Sequence, residues 1–310
     1  MGIKLGVHTG PQDLSMEELH RVWKRADEAG FHWISVWDHF YANPLRDRND
    51  PCFEAVASMA SLATLTSRVR VGCMMFCTLF RNPGLLAKAA ITIDHISGGR
   101  CEIGLGGGWF EQEFREFGYG FPPIKERLDQ MEEAVQVIKS LFEEPVTNFK
   151  GQYYDIQGTV CAPKPVTGKL PIWIGGRGPV RTPRMAAQYA DGYNVAYVSP
   201  EEYKQRLDRL DACCDKLGRD PATLTRSVNL HFHMGADEAG AKAAREKLQR
   251  FDPSRRLGAL SGTAPEVIDR IAEYMEVGAN GLNIAFRPPI DWDAFEAYIE
   301  QVLPVFHQSS

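Results

Sequence analysis

Short apolar runs recur along the chain, separated by longer stretches with amphipathic spacing. Ile3–Val7, Trp33–Val36, Val69–Phe76, Cys101–Leu105, Pro171–Ile174, Tyr193–Val195, Val228–Met234 and Leu282–Ala285 read as strands. Most lack polar alternation, the pattern of parallel strands covered on both faces. Between them, Arg127–Phe142 places Leu128, Met131, Val135, Ile138, Leu141 and Phe142 at three- and four-residue steps. That spacing lays one apolar stripe along a helix.

Start and stop signals support the alternation. Ser15 with Glu18, Ser199 with Glu202, and Thr263 with Glu266 each fit a reciprocal capping box. Pro200 suits a first helical position. Ala29-Gly30-Phe31, Asp191-Gly192-Tyr193 and Gly278–Gly281 lead from helix into strand, and glycine there closes a helix in the left-handed conformation. Eight strands, most followed by a helix, predict a single (β/α)8 TIM barrel over residues 1–310, with an open doubly wound sheet as the other arrangement.

Two stretches exceed the minimal barrel. Residues 146–156 read as a hairpin turning at Lys150-Gly151. Residues 236–262 form a polar insertion rich in Arg and Lys after the seventh strand. Insertions there lie at the C-terminal face, so this one is either a lid over the site or a solvated helix pair.

Composition narrows the class. Of 310 residues 44% are hydrophobic and 24% charged, the proportions of a globular protein rather than a disordered or coiled-coil one. The formal charge is −5 with no long basic run, which argues against nucleic acid as a partner. Seven cysteines without a C-x-x-C pair indicate neither a disulfide framework nor a zinc knuckle. No apolar stretch reaches the roughly 18 residues of a membrane span, and no charged-then-apolar leader opens the chain. A cytoplasmic protein acting on a small molecule is the expectation.

In a barrel the chemistry sits just after each strand. Trp37-Asp38-His39-Phe40 follows the second strand; a histidine there can exchange a proton, and an adjacent carboxylate can bind a ligand donor or orient the ring. Gly104-Leu105-Gly106-Gly107-Gly108-Trp109 follows the fourth, and Gly175-Gly176-Arg177-Gly178 the fifth. Gly106, Gly107, Gly108, Gly175, Gly176 and Gly178 let a ligand approach bare amides, and Arg177 with the helix beyond it adds positive charge, a phosphate site. The spacing is neither G-x-G-x-x-G in a βαβ unit nor a Walker loop. His231 and His233 project to one side of a strand. They line a substrate pocket with His8 and Trp109, or they are metal ligands completed by Asp38, His39 or His8, as a metal-dependent hydrolase needs. A binding protein without cofactor would leave the two glycine clusters only the task of turning the chain.

Taken together, Trp37–Phe40, Phe80-Arg81-Asn82-Pro83, Ser97-Gly98-Gly99-Arg100, Gly104–Trp109 and Pro171–Gly178 resemble the bacterial luciferase-like superfamily of flavin and deazaflavin oxidoreductases, in its branch using coenzyme F420. The resemblance implies F420 as cofactor, an unidentified small organic substrate and homodimerisation; an FMN-dependent monooxygenase is the alternative within the superfamily. It implies that Asp38 and His39 contact the deazaflavin and handle the substrate proton. It further implies a non-prolyl cis peptide at Met74–Met75 that buttresses the ring system, and cofactor loops at Gly106–Gly108 and Gly175–Gly178. Ser97–Arg100 precedes its strand and belongs to the stability face. Where the sugar-phosphate dehydrogenases of the family carry a glutamate, this chain has Trp109, with Glu111 two residues later. Sugar-phosphate oxidation is therefore not expected, and Trp109 either stacks on a flat ligand or plugs the space beneath the lid.

Overall fold

A computed structural model describes residues 2–306, without the side chains at 254 and 255. Eleven strands form in chain order: β1 (Lys4–Thr9), β2 (Trp33–Val36), β3 (Arg70–Cys77), β4 (Cys101–Gly106), β5 (Thr147–Lys150), β6 (Asp155–Thr159), β7 (Ile172–Gly175), β8 (Gly192–Ala196), β9 (Thr225–Met234), β10 (Ala259–Gly262) and β11 (Gly281–Phe286). Strands β1, β2, β3, β4, β7, β8, β9 and β11 pair in parallel in that order, and β11 returns to β1. The sheet is closed. It is a (β/α)8 barrel whose eight staves are the eight apolar runs, and their continuous burial follows from helices outside and side chains inside.

The barrel interior is built on large-against-none packing. Trp33 and Trp173 meet edge to face with ring centres 5.7 Å apart, and glycines leave room for them. A methyl at Gly281 would lie 2.6 Å from the Trp33 ring, and Gly6 and Gly192 face Trp33 and Trp173 in the same way. Buried polar groups in this layer satisfy one another. Asn194 donates to Ser227 and Asn229, Asn283 donates to Asn229, and the Trp33 indole N–H donates to Asn283. The Trp173 indole N–H donates to Glu102 at 2.7 Å, and Glu102 also pairs with Arg70. Such networks are tolerated because every member has a partner.

The N-terminal face is held by side chains bonding to main chain. Arg100 donates to the carbonyls of Ala63, Thr66, Val69 and Ser97, which places it on the stability face. Asp27 accepts from the amides of Ser67, Arg68 and Val69. Of the three capping boxes, Ser15–Glu18 and Thr263–Glu266 are reciprocal. Glu266 accepts from the Thr263 amide and hydroxyl. At Ser199 the hydroxyl caps the Glu202 amide, but the Glu202 carboxylate turns to Arg206 instead.

Both insertions have structure of their own. Strands β5 and β6 make the hairpin, three residues longer at its far end than its turn signals suggest. Glu133, on the helix Ile124–Glu143, accepts from the amides of Gln152, Tyr153 and Tyr154 and fastens the turn. Residues 236–262 carry the helices Glu238–Leu248 and Pro253–Arg256 and then β10. This extra strand pairs in parallel with the upper half of β9, Ala259 opposite His231 and Gly262 opposite Met234. The insertion is therefore stitched to the barrel by a ninth strand, which the polar composition of the segment conceals. Among the described residues no helix is long and apolar enough to cross a membrane.

The packing of Gly281 against Trp33 is testable. Gly281→Ala should destabilise the protein by about 1–3 kcal/mol in urea unfolding, the usual cost of overfilling a dense core. A change below about 0.5 kcal/mol would show that the indoles do not fill the barrel as described.

Candidate active site at the barrel mouth

The loop after β2 carries His39, and a buried carboxylate from another loop holds it. His39 Nδ1 lies 2.8 Å from Oε2 of Glu113, whose side chain is 1% exposed. The other oxygen of Glu113 accepts from the amides of Phe40 and Tyr41, each at 2.9 Å. Glu113 sits on the short helix Glu111–Glu116 that follows the glycines after β4. A carboxylate taking three such bonds acts as acceptor only, so Nδ1 of His39 donates and Nε2 is the nitrogen left for chemistry. The ring is 13% exposed and meets Trp109 edge-on at 5.6 Å.

Asp38 has a different setting. Both its oxygens are taken by the Arg81 guanidinium, at 2.7 and 2.8 Å, and one also accepts from the Cys77 amide at 2.9 Å. Arg81 in turn reaches Glu54. Burial pushes the Asp38 carboxyl up, and Arg81 and the Cys77 amide oppose that shift. With its lone pairs so engaged, Asp38 fixes the end of β2 against β3, and the carboxylate that orients His39 is Glu113.

His8, one strand away, is buried and bonds Ser35 through Nδ1 at 2.8 Å. Burial, then Arg287, then His39 bring its pKa down to about 3. Its ring packs on Trp37 at 5.0 Å, and Arg287 lies over the other indole neighbourhood, 4.5 Å from the Trp37 centre. His231 stacks on Tyr197 at 4.0 Å, and His231 and His233 both pack against Phe251. Burial brings His233 down to about 4, helped by Lys247. Among the described residues no three His, Cys, Asp or Glu side chains gather as a metal site would need, so the two histidines form part of an aromatic wall.

The glycine loops divide by what surrounds them. The Met74–Met75 peptide is cis, and the β3–β4 register slips there, Cys73 opposite Ile103 and Phe76 opposite Leu105. Met74 packs with Trp33 and Trp173 inside the barrel. Met75 lies across Gly104, Gly106 and Gly175, where any β-carbon would meet it. Gly107 abuts Leu128, and Gly108, at φ +69, would clash with Phe114 and Cys77. These glycines thus have packing reasons. Gly176 and Arg177 are exposed and Gly178 half-buried; a β-carbon at Gly178 would meet Thr182 at 2.9 Å. The helix Arg181–Tyr189 begins just beyond, and no side chain caps its first amides. Arg177 itself makes no ion pair among the described residues, while Arg206 donates to its carbonyl. Bare amides, a helix N-terminus and a free guanidinium together suit an anion. Trp109 is 61% exposed and stacked on Phe110.

A model of the luciferase-like monooxygenase family matches residues 2–281. The chain belongs to that family. It is 30% identical to an F420-dependent glucose-6-phosphate dehydrogenase of Amycolatopsis mediterranei, over 97% of this chain and 98% of the relative. It is 27% identical to the 5,10-methylenetetrahydromethanopterin reductase of Archaeoglobus fulgidus, over 98% and 85% of the two chains. Among solved structures, an F420-dependent secondary alcohol dehydrogenase with an F420–acetone adduct superposes with a TM-score of 0.86 at 20% identity, covering 99% of this chain and all of that one.

Four groups at this candidate site escaped sequence reasoning: Glu113, Arg81 as the partner of Asp38, Tyr197 and Arg287. Tyr197 has φ +59, an unusual conformation for a non-glycine residue.

The buried histidines set a pH dependence. Their folded pKa values lie below the ordinary 6.5, so the unfolded chain binds protons that the fold refuses. Stability is complete above about pH 6.5 and falls with pH toward 4 and then 3. Each such histidine removes about 1.6 kcal/mol between pH 6.5 and 5, since the slope reaches its full value of about 1.36 kcal/mol per unit only below the unfolded pKa. Urea unfolding of His8→Asn should show that much less loss over this interval; an unaltered pH slope would contradict burial of a neutral His8.

Proposed function

We propose that this protein is a coenzyme F420-dependent oxidoreductase acting on a small organic substrate. The observation that carries the reading is likeness over nearly the whole chain to F420-dependent enzymes, together with a barrel mouth whose residues fit such a cofactor. The fit is local: Gly176, Arg177, Gly178 and the uncapped helix start offer donors to a phosphate. The surface beside Met75 offers an apolar seat for a ring system. Bound there, F420 supplies hydride acceptance or donation.

The chain's own groups do the rest. His39, fixed through Nδ1 by Glu113, exchanges a proton with the substrate at Nε2. Asp38 holds the loop that carries His39 through its two bonds to Arg81. Trp109 replaces a carboxylate near the reacting centre with a flat apolar face and helps exclude water. This reading includes a homodimer and a cytoplasmic location; seven free cysteines accord with a reducing compartment.

Titration with F420 should quench tryptophan fluorescence with a Kd in the micromolar range. Arg177→Gln should weaken binding about tenfold, roughly the worth of one charge-assisted hydrogen bond. An FMN affinity a hundredfold tighter than that for F420, about 2.7 kcal/mol, would favour the monooxygenase reading instead. No binding of either would overturn both.

A further inference from the structure

Arg287 stands at the end of β11, the stave between β1 and β9. His8, Ala285 and His231 share one row across these three strands. Arg287 lies two residues beyond Ala285, so it rises above that row on the same side of the strand. The guanidinium lies over Trp37 at 4.5 Å and near Tyr197 at 5.9 Å.

Its hydrogen bonds are few. Nη1 donates to the Asn43 carbonyl at 2.7 Å, and Nη2 to the Tyr197 hydroxyl at 3.4 Å. A guanidinium has five N–H groups, so three find no partner among the described residues. Among the described residues no carboxylate pairs with it, although it is half-buried. Other half-buried arginines without a carboxylate are spent on main-chain carbonyls: Arg100 at the barrel's base, Arg219 at a helix end and Arg256 in the insertion. The groups beside Arg287 do not neutralise it either, since His8 is held uncharged by burial. A partly desolvated cation with its fork unfilled invites an anion, and stacking on an indole pre-organises that fork.

We propose that Arg287 anchors a carboxylate or phosphoryl group of the substrate, gripping two of its oxygens three staves round the mouth from Arg177. The proposal rests on reading the barrel mouth as the active site, and it makes the substrate an anion recognised away from the cofactor loops.

Calorimetry on F420-loaded protein tests it with benzoate and inorganic phosphate as probes, and benzamide as the uncharged counterpart of benzoate. One or both anions should bind, with benzamide at least tenfold weaker than benzoate. Binding of benzoate alone assigns the carboxylate, and of phosphate alone the phosphoryl group. Arg287→Gln should lose at least tenfold in anion affinity while its F420 affinity stays within twofold. Arg287→Lys keeps the charge over Trp37 but not the fork, and a three- to tenfold loss is expected. Equal anion binding by Arg287→Gln, benzamide binding as tightly as a benzoate that does bind, or no anion binding by the wild type would overturn the proposal. Should F420 fail to bind, that result counts against the proposed function, and the same titrations on cofactor-free protein still decide the role of Arg287.

Discussion

The mouth of this barrel is organised by one carboxylate. Glu113 is almost completely enclosed, yet its two oxygens accept from two main-chain amides and one imidazole of the loop after β2. Buried donors and acceptors are costly to leave unpaired, at about 1–3 kcal/mol each. The two loops must therefore keep their relative position, or several groups lose partners at once. The catalytic candidate is positioned by this constraint rather than by its neighbour in sequence.

A second buried pair works alongside it. Asp38 and Arg81 tie the same loop to the end of β3, next to the bulge that carries Met74 and Met75. Breaking such a pair strands a charge in a poorly solvated place, so each partner enforces the other. Glu113 and Arg81 thus brace residues 38–41 from two sides. What stays uncommitted among the described residues is informative: Nε2 of His39, the accessible loop at Gly176–Gly178, the Arg177 guanidinium and part of the Arg287 fork. They are spread around the mouth, on the loops after β2, β7 and β11.

The fold was legible in the chain because parallel staves must be apolar on both faces, and each of the eight runs became one. Strand β10 was not, since Ala-Leu-Ser-Gly is too short to show a period and, among the described residues, it pairs with β9 alone. The site was partly legible. His39, the glycine loops and the bulge at Met74–Met75 stand at strand ends, where barrel topology alone directs attention. Glu113 was hidden because Glu111 and Glu113 flank one residue on a six-residue helix, and periodicity over so short a span does not say which turns inward. Arg81 pairs with Asp38 across 43 positions, a link that only the closed barrel creates. The glycines were found as positions but not for all their reasons: at 106 and 175 the missing β-carbons make room for Met75.

The tautomer of His39 tests the central claim most directly. Long-range nitrogen–carbon NMR on histidine-labelled protein, assigned with a His39→Gln variant, reports which ring nitrogen carries the proton in the neutral form. The account predicts protonated Nδ1, donating to Glu113, and a bare Nε2; in Glu113→Gln that preference should weaken or reverse. A neutral His39 protonated at Nε2 in the wild type, or one indifferent to the loss of the Glu113 charge, would contradict it.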